Sequence, residues 1–175
     1  MRAVLNRLVW MIPVILMACH ENRNVALKEV MQQSEAGLSQ EKHIGNNVVN
    51  MTYLPTCWEK VNDRNAETND KEMCFKVNVT KVSKEQMNQQ AVSYGVDTLF
   101  QLILNRDTLI PISAERIANG SLNSVEYLVI FERRPLAPVQ QAAFIFKDWL
   151  FTSTRLLFPL DKKFLQKSDS LSCGL

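Results

Sequence analysis

At 175 residues, 46% hydrophobic and 22% charged, the chain suits one domain with a packed core and is not composed like a disordered segment. Its formal charge of +2 includes Arg2 and Arg7, and no acid lies in residues 1–18, so the remainder carries 18 basic against 18 acidic residues. That balance excludes a general electrostatic attraction to nucleic acid or anionic lipid.

Residues 1–18 read as an export signal. Arg2 and Arg7 form a positive start, and Leu8 to Ala18 is an apolar run of eleven residues broken by Pro13. A bilayer-spanning helix needs ~20 residues, so this run fits a cleaved leader. Ordinary cleavage before Cys19 would place bulky Leu16 where a small residue is required. The stretch Leu16-Met17-Ala18-Cys19 instead resembles the lipobox of bacterial lipoproteins, with Met17 less usual than Ala, Ser or Thr. The resemblance covers the signal alone. It implies that the Cys19 thiol is diacylglycerated and that Cys19 becomes the mature N-terminus. Acyl chains contribute ~0.8 kcal/mol per buried CH₂, so two or three hold a domain on a membrane. His20 follows in place of the Asp that retains such proteins in the inner membrane of enteric bacteria, which leans toward the outer membrane.

Residues 19–45 are polar and read as a lipidated N-terminus and tether, with a short helix over Val25 to Met31 ending near Gly37. Residues 46–175 form the predicted domain. Val48, Val49, Met51 and Tyr53 begin a strand stopped by Pro55, which Cys57 to Val61 can continue. Past the polar loop 62–71, Phe75, Val77 and Val79 alternate with Lys76, Asn78 and Thr80, the pattern of a half-buried strand. Ser83 and Gln86 have capping-box spacing for a helix ending at Gly95. Leu99 to Leu104 and Thr108 to Ile112 form a hairpin about Asn105-Arg106-Asp107, and Asn119-Gly120 marks another turn. The apolar run Val125 to Phe131 belongs centrally in a sheet. Pro135 to Pro138 is a loop, Ala142 to Phe146 and Leu156 to Leu160 are strands, and the Ser/Lys-rich end frays. About seven short strands separated by turns predict a mostly-β protein, an antiparallel, immunoglobulin-like β-sandwich with one or two short helices.

Export permits disulfides. With Cys19 assigned to lipid, Cys57, Cys74 and Cys173 remain, and Cys57–Cys74 is expected to close the hairpin around residues 62–71, with Cys173 left over.

Catalytic residues are sparse. His20 abuts the anchor and His43 lies in the tether, so neither is set for general-base work. No metal-ligand spacing, phosphate-cradling glycine loop or GxSxG nucleophile occurs, so neither metal nor cofactor is implied. The carboxylate pairs Glu115/Glu126 and Asp148/Asp161 read as solvated surface charge. Among the aromatics Phe144, Phe146, Trp149, Phe151 and Phe158, most are expected in the core, and Trp149 and Phe151 are the candidate binding surface. Three sequons, at Asn50, Asn78 and Asn119, would matter in a eukaryotic secreted glycoprotein, where Cys19 would pair with Cys173. Together these features predict a lipid-anchored bacterial envelope protein with a binding or scaffolding domain, not an enzyme. Its expected partners are the membrane and an envelope protein, as in a secretion, motility or adhesion assembly. A ligand- or glycan-binding module is the alternative.

Overall fold

The computed structural model describes residues 23–61, 66, 68, 70–81 and 95–174. Within them lie nine strands: β1 (Ser39–Ile44), β2 (Asn47–Leu54), β3 (Glu72–Lys81), β4 (Phe100–Leu104), β5 (Asp107–Leu109), β6 (Ser113–Ile117), β7 (Ser124–Glu132), β8 (Ala142–Asp148) and β9 (Thr154–Leu160). Helix α1 includes residues 23–32, and α2 spans Lys162–Cys173. Short 3₁₀ turns occupy Ser34–Ala36, Trp58–Val61 and Val96–Leu99.

The strands form two antiparallel sheets, ordered β1-β2-β3-β7-β6 and β5-β4-β8-β9. Without β1, the orders are those of the A-B-E-D and C′-C-F-G sheets of an immunoglobulin-type sandwich. Alternation builds the interior. Val49, Met51 and Tyr53 of β2, Met73, Phe75, Val77 and Val79 of β3, and Tyr127, Val129 and Phe131 of β7 all point inward and are fully buried. Phe144 of β8 faces them from the other sheet, its ring 4.8 Å from Phe75 and 6.1 Å from Phe131. Two-residue turns at Gly45-Asn46 and Asn105-Arg106 set the registers Ile44↔Asn47 and Leu104↔Asp107. Gly45 and Asn105 take the positive φ that such hairpins require.

The segment expected to be a tether is largely part of the sandwich. Leu27 and Val30 of α1 are buried, as are Ala36 and Leu38, and β1 pairs with β2 along its length. Polar alternation hid β1, because its inner positions are Gln40, Lys42 and Ile44. Gln40 donates to the Gly37 and Pro159 carbonyls, and the Lys42 ammonium lies 5.3 Å from the Phe158 ring centre, so β1 seals the side between the sheets. Gly37 is needed there: with φ 64°, a Cβ would lie 2.6 Å from the Pro159 carbonyl oxygen.

Two further expectations are corrected. Cys57 to Val61 does not continue β2, because the backbone turns at Pro55 into the 3₁₀ turn. Nor does the C-terminus fray. Asp161 caps α2 through Lys163 N–H, and Leu165, Ser168 and Ser172 bury one face. The buried serines satisfy their hydroxyls on carbonyls one turn back, Leu165 O and Asp169 O, which is why a serine-rich helix can pack. Asp169 then clamps the helix to the first sheet. Its carboxylate accepts from Tyr53 Oη (2.7 Å), Thr56 N (2.9 Å) and Arg133 Nη1 (2.9 Å), while Arg133 Nη2 also donates to Tyr53 Oη. Burial, reinforced by the Asp169 charge, drives the Tyr53 phenol far above its ordinary pKa, so it stays a donor. The helix expected over Ser83 to Gly95 lies, up to residue 94, outside the described residues.

Candidate functional site

The outer face of an antiparallel sheet normally presents polar side chains to water. At the α2 end of the five-stranded sheet this one does not. Leu54 of β2, Cys74 of β3, Leu128 and Ile130 of β7 and Ile117 of β6 point outward and form an apolar floor. A wall rises beside it where the chain leaves β2. Pro55 breaks the strand, Trp58 N–H donates to Pro55 O (2.8 Å), and Lys60 N–H donates to Cys57 O (3.0 Å). The turn is pinned from behind, since Cys57 is disulfide-bonded to Cys173 and Cys57 N–H donates to Ser172 Oγ (3.3 Å). Floor and wall enclose a groove of about 330 Å³, with Trp58 and Glu59 on the wall, Glu72 at the start of β3 and Lys76 directly opposite Leu128.

The charges around the groove are unequally satisfied. Lys76 pairs with Glu126 across β3 and β7 (3.8 Å), and Arg133 pairs with Asp169. Glu132 pairs with Arg134 (2.6 Å). Glu72 sits directly opposite Glu132 in register, and neither Glu72 nor Glu59 has a cationic partner among the described residues. Within the groove the Cys74 thiol is pushed up to about 11, first by burial and then by the Glu72 carboxylate, with Glu59 adding to it and Arg133 opposing. It is therefore a protonated, weakly nucleophilic thiol at neutral pH.

Compared with protein-family models, curated proteins and solved structures, the chain has no match.

The cysteine expectation is half right. β2 and β3 do form a hairpin around residues 62–71, but its closing bridge is absent: Cys57 bonds Cys173, and Cys74 is free. The register explains this. Cys74 pairs with Leu54 and faces the outer groove, whereas Cys57 lies beyond the end of β2, where α2 brings Cys173 to a Cα distance of 4.9 Å. The same bond removes the Cys19–Cys173 pairing that a secreted glycoprotein reading required. Cys19 and His20 lie outside the described residues.

The expected aromatic surface divides. Phe144, Phe146 and Phe158 are core, Phe151 is half-buried against that core, and Trp149 is 61% exposed in the β8–β9 loop beside the partly exposed Leu150. Buried Asp148 holds this loop, accepting from Phe151 N–H, Thr152 N–H and Thr152 Oγ1. Burial raises the Asp148 pKa, although these hydrogen bonds oppose the rise. Asp161, as the α2 cap, lies at the far end of β9, so the two do not converge. Glu126 is engaged by Lys76 and Asn78, while Glu115 accepts from Ser113 Oγ on the exposed side of β6. His43 pairs with Glu41 at the surface. Among the described residues no cluster of three or more metal-ligating side chains occurs, and no helix is long and apolar enough to cross a membrane.

Sequence reasoning missed the groove, though one signal for it was present. The run Val125 to Phe131 does lie inside the sheet, between β3 and β6, and its largely apolar second face supplies Leu128 and Ile130 to the floor.

Proposed function

We propose that the chain is an exported protein of the bacterial cell envelope, lipid-anchored at the outer membrane, whose sandwich is a non-enzymatic binding module. The observation that carries the binding role is the apolar groove on a sheet face that would otherwise be wetted. Export is supported by the Arg2/Arg7 leader with its lipobox-like end and by the Cys57–Cys173 bond, which belongs to an oxidising compartment.

The fold supplies an orientation for such an anchor. Arg23 of α1 donates to the Gly174 carbonyl, so the described chain begins beside the disulfide end of the sandwich. Cys19 precedes Arg23 by four residues, a reach of at most ~14 Å. A lipidated Cys19 would then hold the disulfide end toward the membrane and turn the Trp149 loop away from it, toward a partner in an envelope assembly.

Intact mass of the mature protein tests the anchor. Cleavage before Cys19 with added acyl mass, abolished by Cys19→Ala, is expected; an unmodified soluble product refutes it. Cross-linking in cells tests the partner: recovery of no envelope protein with the wild-type chain would count against the assembly role.

A further inference from the structure

We propose that the groove on the five-stranded sheet binds a small amphiphile with a cationic nitrogen, an aliphatic or aromatic body carrying an ammonium group. This deepens the binding reading of the same groove and rests on it. Its volume of about 330 Å³ is at the lower end of small-molecule sites, which run from roughly 300 to 1,000 Å³. The floor of Leu54, Ile117, Leu128 and Ile130 offers no hydrogen-bond donor from its side chains, so it selects an apolar body.

The mouth selects the head group. Glu59 and Glu72 line it without cationic partners among the described residues, and Lys76 and Arg133 pair instead with Glu126 and Asp169. Placing Glu72 opposite Glu132 costs stability unless something compensates, and Arg134 compensates only Glu132. A bound ammonium would supply the missing positive charge. Trp58, 38% exposed on the wall, adds an aromatic face suited to an alkylammonium. A fatty acid would bring its carboxylate against two others. Burial is the main cause of the raised Cys74 pKa, and the Glu72 and Glu59 carboxylates add to it against the opposing Arg133.

The test uses the full mature chain carrying Cys19→Ala, in which Cys74 is the single free thiol. Octylamine, octanol and octanoate are titrated at pH 7.5. Binding is followed by protection of Cys74 from a maleimide and by methyl NMR shifts of Ile117, Leu128 and Ile130. Octylamine is expected to bind roughly fivefold or more tightly than octanol, as one effective ion pair would give, with octanoate weakest. Glu59→Gln with Glu72→Gln should erase the amine's advantage and leave octanol binding unchanged. Octanoate binding as tightly as octylamine, or an amine preference that survives the double substitution, overturns the proposal while leaving a binding groove. No response to any of the three overturns the binding reading as well.

Discussion

Replacing Cys57 and Cys173 together by alanine removes the one covalent tie between the end of β2 and the C-terminal helix. The bridge spans a sequence separation of 116 residues. Chain-entropy reasoning assigns a loop of that length about 5 kcal/mol at 25 °C, against about 3 kcal/mol for the 17-residue Cys57–Cys74 loop. The loss is comparable with the whole stability of many domains, ~5–15 kcal/mol. Urea unfolding of the oxidised wild-type domain and of the double variant is the assay. The midpoint should fall steeply and the denaturant slope should rise, because the uncrosslinked unfolded chain exposes more surface. Should the variant fail to fold, peptide mapping without reductant still decides the connectivity. Cys74→Ala should leave the curve within about 1 kcal/mol of wild type, since it removes only a partly buried thiol. A mapped Cys57–Cys74 peptide, or a double variant as stable as wild type, would refute the reasoning.

Other perturbations probe different levels of the fold. Phe144→Ala empties the centre, where four other rings lie within 6.3 Å of it, and should cost about 3–5 kcal/mol by thermal or urea unfolding. Asp169→Ala leaves the half-buried Arg133 guanidinium without its carboxylate partner and the Tyr53 hydroxyl without its acceptor; a loss of about 3 kcal/mol and faster amide exchange through α2 are expected. The pH dependence of Cys74 alkylation should rise toward a plateau near its pKa of about 11, and Glu72→Gln should increase the rate at pH 8, because removing a nearby negative charge favours the thiolate. The same elevation fixes the sign of a stability effect. The folded state holds the thiol proton more tightly than the unfolded chain, so this contribution is intact below pH ~9 and fades as pH rises toward 11. Cys74→Ala should flatten that part of the stability profile.

Strand content was legible because alternation is a local property. Phe75-Lys76-Val77-Asn78-Val79 can satisfy its apolar side chains only with one face in and one face out, and β3 does so. The hairpins at Asn105-Arg106 and the turn at Asn119-Gly120 were legible for the same reason, since backbone geometry there depends on adjacent residues. β1 and α2 were not. Gln40 and Lys42 lie in a strand because their amide and ammonium groups meet β9, and α2 holds because Asp169 and Cys173 have partners more than a hundred residues away.

The candidate site follows the same division. From sequence alone came an N-terminal stretch resembling a lipoprotein signal, balanced charge over residues 19–175, a mostly-β sandwich and the absence of familiar catalytic motifs. Only the tertiary structure decided that Cys57 pairs with Cys173, that Trp149 is exposed while Phe151 turns inward, and that Leu54, Cys74, Ile117, Leu128 and Ile130 share one outer face. Periodicity tells which residues of one strand share a side. Which strands become neighbours, and hence which side chains and charges meet, is set by packing across the whole chain.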